Sequence, residues 1–130
     1  AAGFSSNAIL SALKKNGKGK LYSSDFPYFR IKDPEKYIGI VVEKSLRKNW
    51  NLFIEGDENN LPKIFKTVKK IDIFSYDSDK TYSGRSKTLK KVSNFLTENS
   101  VIIMDDIQDN SFFHDYIKEN NISNWKVFKF

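Results

Sequence analysis

Two short apolar runs, each closed by carboxylates, constrain this chain more than anything else in it. Ile71-Asp72-Ile73-Phe74-Ser75-Tyr76 leads into Asp77-Ser78-Asp79-Lys80, and Ser100-Val101-Ile102-Ile103-Met104 leads into Asp105-Asp106. Between them, over residues 83–95, Leu89, Val92 and then Leu96 recur at helical spacing in a segment that otherwise reads as basic and exposed. A helical crossover between two nearly uninterrupted apolar strands implies a parallel pair, joined with the right hand. Both strands then end on one sheet edge, the edge outside which open parallel sheets bind ligands. Asp77, Asp79, Lys80, Asp105 and Asp106 are therefore expected to converge there.

The remaining segments fit the same alternation. Ser5 or Ser6 is expected to cap a helix with Ile9, Leu10 and Leu13 on one face, stopped at Gly17. Lys20 to Ser24 reads as a strand ending at Asp25. Asp33-Pro34-Glu35 opens a short helix, Ile38 to Val42 is ambiguous, and residues 43–48 look helical. Trp50 to Glu55 reads as a strand closed by Gly56-Asp57, with Asn60 capping the next helix. A last helix carries Phe112, Phe113, Tyr116 and Ile117, and Trp125 to Phe130 reads as a final, antiparallel edge strand. The expected class is α/β with a mostly parallel sheet flanked by helices.

At 130 residues the chain is expected to form a single domain over 1–130, and with 39% hydrophobic residues and 11 Phe it carries too much apolar surface for disorder. The absence of Cys excludes a disulfide framework and a zinc–thiolate site. No run approaches membrane-spanning length and no signal peptide is visible, so the expectation is no membrane and a cytoplasmic location. The net charge of +6 is scattered in pairs such as Lys14-Lys15 and Lys90-Lys91, without the aromatic interleaving of a nucleic-acid surface, so no nucleic-acid partner is expected.

The order of acidic strand ends, Asp25, then Gly56-Asp57, then Asp77 and Asp105-Asp106, resembles that of the class I S-adenosylmethionine-dependent methyltransferases. By that resemblance the fold is a Rossmann-like sheet whose first, central strand is not within this chain. Gly3, Phe4 and Ser5 look like the end of the loop under the methionine moiety. Asp25 would hold the ribose hydroxyls, Asp57 would border the adenine, and Asp77 would also lie against the cofactor. Tyr22, Tyr28 and Phe29 flank Asp25 and could border the adenine as well. The second half resembles the metal-dependent O-methyltransferases related to catechol and caffeoyl-CoA O-methyltransferases. That likeness implies Asp77, Asp105 and Asp106 as metal ligands, Lys80 as the base, and a small molecule or sugar as methyl acceptor. Some relatives carry His where Lys80 stands.

The chemistry of the residues agrees with that assignment. Three carboxylates suit a hard divalent ion such as Mg²⁺, which lowers the pKa of a bound hydroxyl, and a cation beside Lys80 disfavours its ammonium form. Two other readings stay open from the residues themselves. Asp77-Ser78-Asp79 is also the arrangement with which nucleotide-sugar glycosyltransferases hold a metal and a diphosphate, and a non-catalytic remnant could keep these residues as turn formers.

Overall fold

The computed structural model describes residues 2–27 and 30–129. The chain divides between Thr67 and Val68 into two compact units, each built around one parallel pair of strands.

The first unit opens with α1 (Phe4–Lys15), followed by β1 (Leu21–Ser24), β2 (Trp50–Phe53) and α2 (Asp57–Phe65), with short 3₁₀ turns at Pro34–Tyr37 and Lys44–Asn49. β1 and β2 run parallel, with Leu21 opposite Trp50 and Ser24 opposite Phe53. Leu10, Val42 and Leu46 form the core, and Leu13, Leu21 and Trp50 pack on it. Ile9, expected on the same face as Leu10 and Leu13, is exposed. The helix begins one to two residues before the expected serine caps. Gly3 takes the capping position in the left-handed region (φ 99°) because a Cβ there would press on Val42 and the backbone of Gly39. Gly17 (φ 68°) ends the helix as expected.

The ambiguous stretch from Ile38 to Val42 is a run of turns, not a strand. Gly39 has φ 68°, and the Trp50 indole lies where its Cβ would be. Arg47 fastens these turns by donating from Nη2 to the Gly39 carbonyl (3.0 Å) and from Nε to the Val42 carbonyl (3.2 Å). α2 starts a turn earlier than its expected cap at Asn60, with Asp57 and Glu58 in the first turn, where carboxylates suit the positive end of the helix dipole.

In the second unit β3 (Ile71–Tyr76), α3 (Tyr82–Val92), β4 (Leu96–Met104) and α4 (Phe112–Glu119) follow in order. β3 and β4 are parallel, as the crossover requires, with Ile73 opposite Val101 and Tyr76 opposite Met104. β4 begins before the expected Ser100. Ile71 pairs with Leu96 but Ile73 with Val101, so residues 97–100 bulge from the ladder. Ser100 Oγ closes that bulge by donating to the Ile71 carbonyl (2.6 Å) and accepting the Thr97 N–H (2.8 Å). The core is Tyr76, Leu89 and Phe112, with Phe74, Ile102, Met104 and Tyr116 against it.

The expected strand at Trp125 to Phe130 does not form over the described residues, and Phe130 lies outside them. Alternating apolar residues give strand propensity, yet a strand also needs a ladder, and residues 125–129 join neither of the two described sheets. Trp125 instead stands edge-on to Phe113, with ring centroids 6.0 Å apart. No helix of the described residues is long and apolar enough to cross a membrane.

Candidate active site

In the second unit the carboxyl ends of β3 and β4 carry the expected cluster. Asp105 extends the ladder, its N–H donating to the Tyr76 carbonyl (3.1 Å). The chain then turns sharply at Asp106, a non-glycine residue in the left-handed region (φ 49°, ψ 42°), and the Asp105 carboxylate accepts the Asp106 N–H at 3.0 Å. On the other side, Tyr76 Oη donates to the Asp79 carbonyl (2.6 Å) and shapes the turn after β3. The outcome is that one carboxylate oxygen from each of Asp77, Asp105 and Asp106 lies within 4.8 Å of the other two. Adjacent oxygens around Mg²⁺ sit about 3 Å apart, so the three could share one hard divalent ion only after their side chains draw closer together.

Lys80 stands in the same cluster. Its Nζ contacts Asp77 Oδ1 at 2.5 Å and Asp106 Oδ2 at 3.1 Å. Partial burial pulls the Lys80 pKa down, but the hydrogen bonds and charges of Asp77 and Asp106 together outweigh it, and the net shift is upward. The hydrogen bond from Lys80 likewise holds the Asp106 carboxyl below its usual range. The carboxylates thus favour the ammonium, the reverse of what a neighbouring metal cation does.

Asp79 does different work. Its carboxylate accepts the Thr81 N–H (2.9 Å), and this bond holds its pKa below the ordinary value. Thr81 Oγ1 in turn accepts the Gly84 N–H (3.0 Å) and caps α3. Asp79 is therefore a turn former beside the triad.

Arg85 is the residue the sequence reading missed here. The helix was expected to be exposed apart from its apolar positions, yet Arg85 is 1% exposed. It donates from Nε to the Lys80 carbonyl (3.2 Å), from Nη1 to the Asp105 carbonyl (3.0 Å) and from Nη2 to the Asp106 carbonyl (2.8 Å). Asn110 adds a bond from Nδ2 to the Lys80 carbonyl (2.7 Å).

In the first unit, Asp25 follows β1 and Asp57 opens α2. Asn60, fully buried, joins the two. Its Nδ2 donates to Ser24 Oγ (2.9 Å), the Phe53 carbonyl (3.1 Å) and the Asp25 carbonyl (3.2 Å), while its Oδ1 accepts the Glu55 N–H (3.0 Å). Ser24 Oγ then donates to Asp57 Oδ1 (2.5 Å), and the Asp25 carboxylate accepts the Phe26 N–H (2.8 Å). Gly3 is buried at the start of α1, with Phe4 and Ser5 exposed in its first turn. An apolar pocket of about 240 Å³ touches both loops, lined by Ala2 next to Gly3, Phe26 next to Asp25, and Ile31, Tyr37 and Ile40. Tyr28 and Phe29 lie outside the described residues.

Parallel strand pairs with covering helices, and acidic residues at the strand carboxyl ends, define an α/β protein of Rossmann-like, methyltransferase type. A family model described as a methyltransferase domain matches residues 1–107, and the chain belongs to that family. Its methyl donor is accordingly S-adenosylmethionine. No curated protein and no solved structure matches the chain.

Proposed function

We propose that this methyltransferase domain transfers a methyl group from S-adenosylmethionine to a hydroxyl of a small molecule or sugar, assisted by a divalent ion. The observation that carries the reading is the meeting of Asp77, Asp105 and Asp106 from two strand ends. A Mg²⁺ ion held by them would supply positive charge that makes an acceptor hydroxyl more acidic. In this reading Lys80 takes the proton once an ion engages its carboxylate partners, because a neighbouring cation disfavours its ammonium. In the first unit Gly3, Phe4, Ser5, Asp25 and Asp57 bind the cofactor, with the apolar pocket beside Asp25 excluding water.

The test is thermal denaturation with Mg²⁺, Mn²⁺ and Ca²⁺. Saturation to about 100 times the dissociation constant stabilises the native state by about 2.7 kcal/mol, a readable rise in Tm. Asp105→Asn with Asp106→Asn abolishes the rise, and Lys80→Ala keeps it while losing methyl transfer. A melting curve that all three ions leave unmoved ends the metal-assisted reading. In the first unit, Asp25→Ala weakens S-adenosylmethionine binding by about 1.5–3 kcal/mol in calorimetry, and an unchanged affinity removes Asp25 from the cofactor site.

A further inference from the structure

We propose that Arg85 is the positioning residue for the acid-bearing turns, a single guanidinium that fixes the Lys80 turn against the Asp105-Asp106 turn. The proposal rests on the metal-assisted reading, and extends it to a side chain that touches neither ion nor substrate.

The geometry is specific. Its acceptors are the backbone carbonyls of Lys80, Asp105 and Asp106, at 3.2, 3.0 and 2.8 Å. These are three of the four residues whose side chains form the cluster, and they belong to two turns far apart in the chain. The guanidinium is a rigid planar fork, so satisfying all three bonds at once fixes the two turns relative to one another. The Tyr76 ring flanks it, with Arg85 Cζ 5.9 Å from the ring centroid. The turn it holds is one that needs holding. Asp106 is in the left-handed region, where a residue with a Cβ is disfavoured, and its carbonyl is kept by Arg85 and by the Asp109 N–H (3.2 Å).

The burial also calls for an explanation. Arg85 shares the inward face of α3 with Thr88, Leu89 and Val92, where an aliphatic side chain would pack without desolvating a charge. A guanidinium there makes sense through what it binds. Lysine would keep the charge but not the fork, since its compact ammonium cannot reach three carbonyls in a fixed plane.

The experiment uses the chain with Arg85→Lys, Arg85→Gln and, as a control, Lys91→Gln, an exposed cation on the same helix. Mn²⁺ binding is measured by electron paramagnetic resonance, and folding by circular dichroism. The expected result is native secondary structure throughout, Mn²⁺ affinity lowered about 10- to 100-fold in both Arg85 variants, the loss typical of residues that orient metal ligands, and unchanged affinity in Lys91→Gln. The wild-type chain gives a second readout that needs no variant. Mg²⁺ is expected to shift the Arg85 Nε–H and Nη–H resonances, because their acceptors belong to the ligand turns. Wild-type binding of Mn²⁺ matched by Arg85→Lys, or Arg85 resonances unmoved by saturating Mg²⁺, overturns the positioning role and leaves the metal reading standing. A wild-type chain that binds no divalent ion overturns both. Should the Arg85 variants not fold, the Mg²⁺ shift in the wild type decides.

Discussion

Asn60 gives the sharpest test of how the first unit is held together. The side chain is fully buried; its two amide hydrogens are shared among three acceptors and its oxygen accepts one hydrogen bond. In Asn60→Ala its former partners fare unequally. The Phe53 carbonyl still accepts the Asp25 N–H (2.9 Å), the Asp25 carbonyl still accepts the Gly56 N–H (3.0 Å), and Ser24 Oγ still donates to Asp57 (2.5 Å). The Glu55 N–H loses the Asn60 oxygen it donates to. One unsatisfied donor at about 1–3 kcal/mol, plus a fraction of the usual 0.5–1.5 kcal/mol for each lost bond, gives roughly 2–4 kcal/mol. Asn60→Asp preserves shape and keeps the Glu55 bond but aims a carboxylate oxygen at Ser24 Oγ and two carbonyls. At neutral pH it is expected to cost at least as much as Asn60→Ala, since a buried charge is set against acceptors. The introduced carboxyl has a raised pKa in the folded state. Relative to neutral pH the variant therefore regains stability as pH falls toward the unfolded value of about 3.9, and loses it as pH rises through the folded value. Urea unfolding followed by Trp50 fluorescence in a Trp125→Phe background reads the first unit. A cost below about 1 kcal/mol for Asn60→Ala, or wild-type stability of Asn60→Asp at pH 7, would refute the reasoning.

Three further outcomes follow from local geometry. Thr81→Ala removes the cap of α3 and is expected to cost about 0.5–2 kcal/mol in urea unfolding, whereas Thr81→Ser is expected to cost less. Gly39→Ala forces a Cβ into the left-handed region and onto the Trp50 indole; it should cost more than the 1–2 kcal/mol or so of the backbone conformation alone, with altered Trp50 fluorescence. Burial raises the Tyr116 pKa, so its contribution to stability is full below the unfolded value of about 10 and is lost as pH rises through the folded value. Tyr82 is shifted upward as well, so tyrosinate absorbance should show late-titrating groups of which one disappears in Tyr116→Phe.

What the sequence made legible was periodic. The limits of β3 matched the apolar run from Ile71 to Tyr76, and its parallel pairing with β4 followed from the crossover between them. The cluster at Asp77, Asp105 and Asp106 followed from topology, because parallel strands must end on the same edge. Caps and edges were harder to read. Gly3 displaced Ser5 and Ser6 as the helix start because of a close approach by Val42 and Gly39, residues distant in the chain. The Trp125 segment forms no strand over the described residues, and alternation alone does not reveal whether a strand has a neighbour to pair with.

The residues missed at the site share a physical cause. At the carboxyl end of a parallel pair the ladder stops and carbonyls are left facing the first turns of the following helix. Asn60 and Arg85 occupy equivalent places in the two units. Asn60 lies one turn before Ile64 on the buried face of α2, and Arg85 one turn before Leu89 on that of α3. Each donates to carbonyls at or beyond the strand ends, Asn60 to those of Asp25 and Phe53, Arg85 to those of Asp105 and Asp106 and to that of Lys80 in the turn before α3. Sequence reading treats a polar residue at the start of a helix as a cap or a solvated face, and so discards such donors. Carrying the apolar stripe of α3 back four residues from Leu89 would have put Arg85 inside, and a buried donor beside acid-bearing turns has few roles other than to hold them.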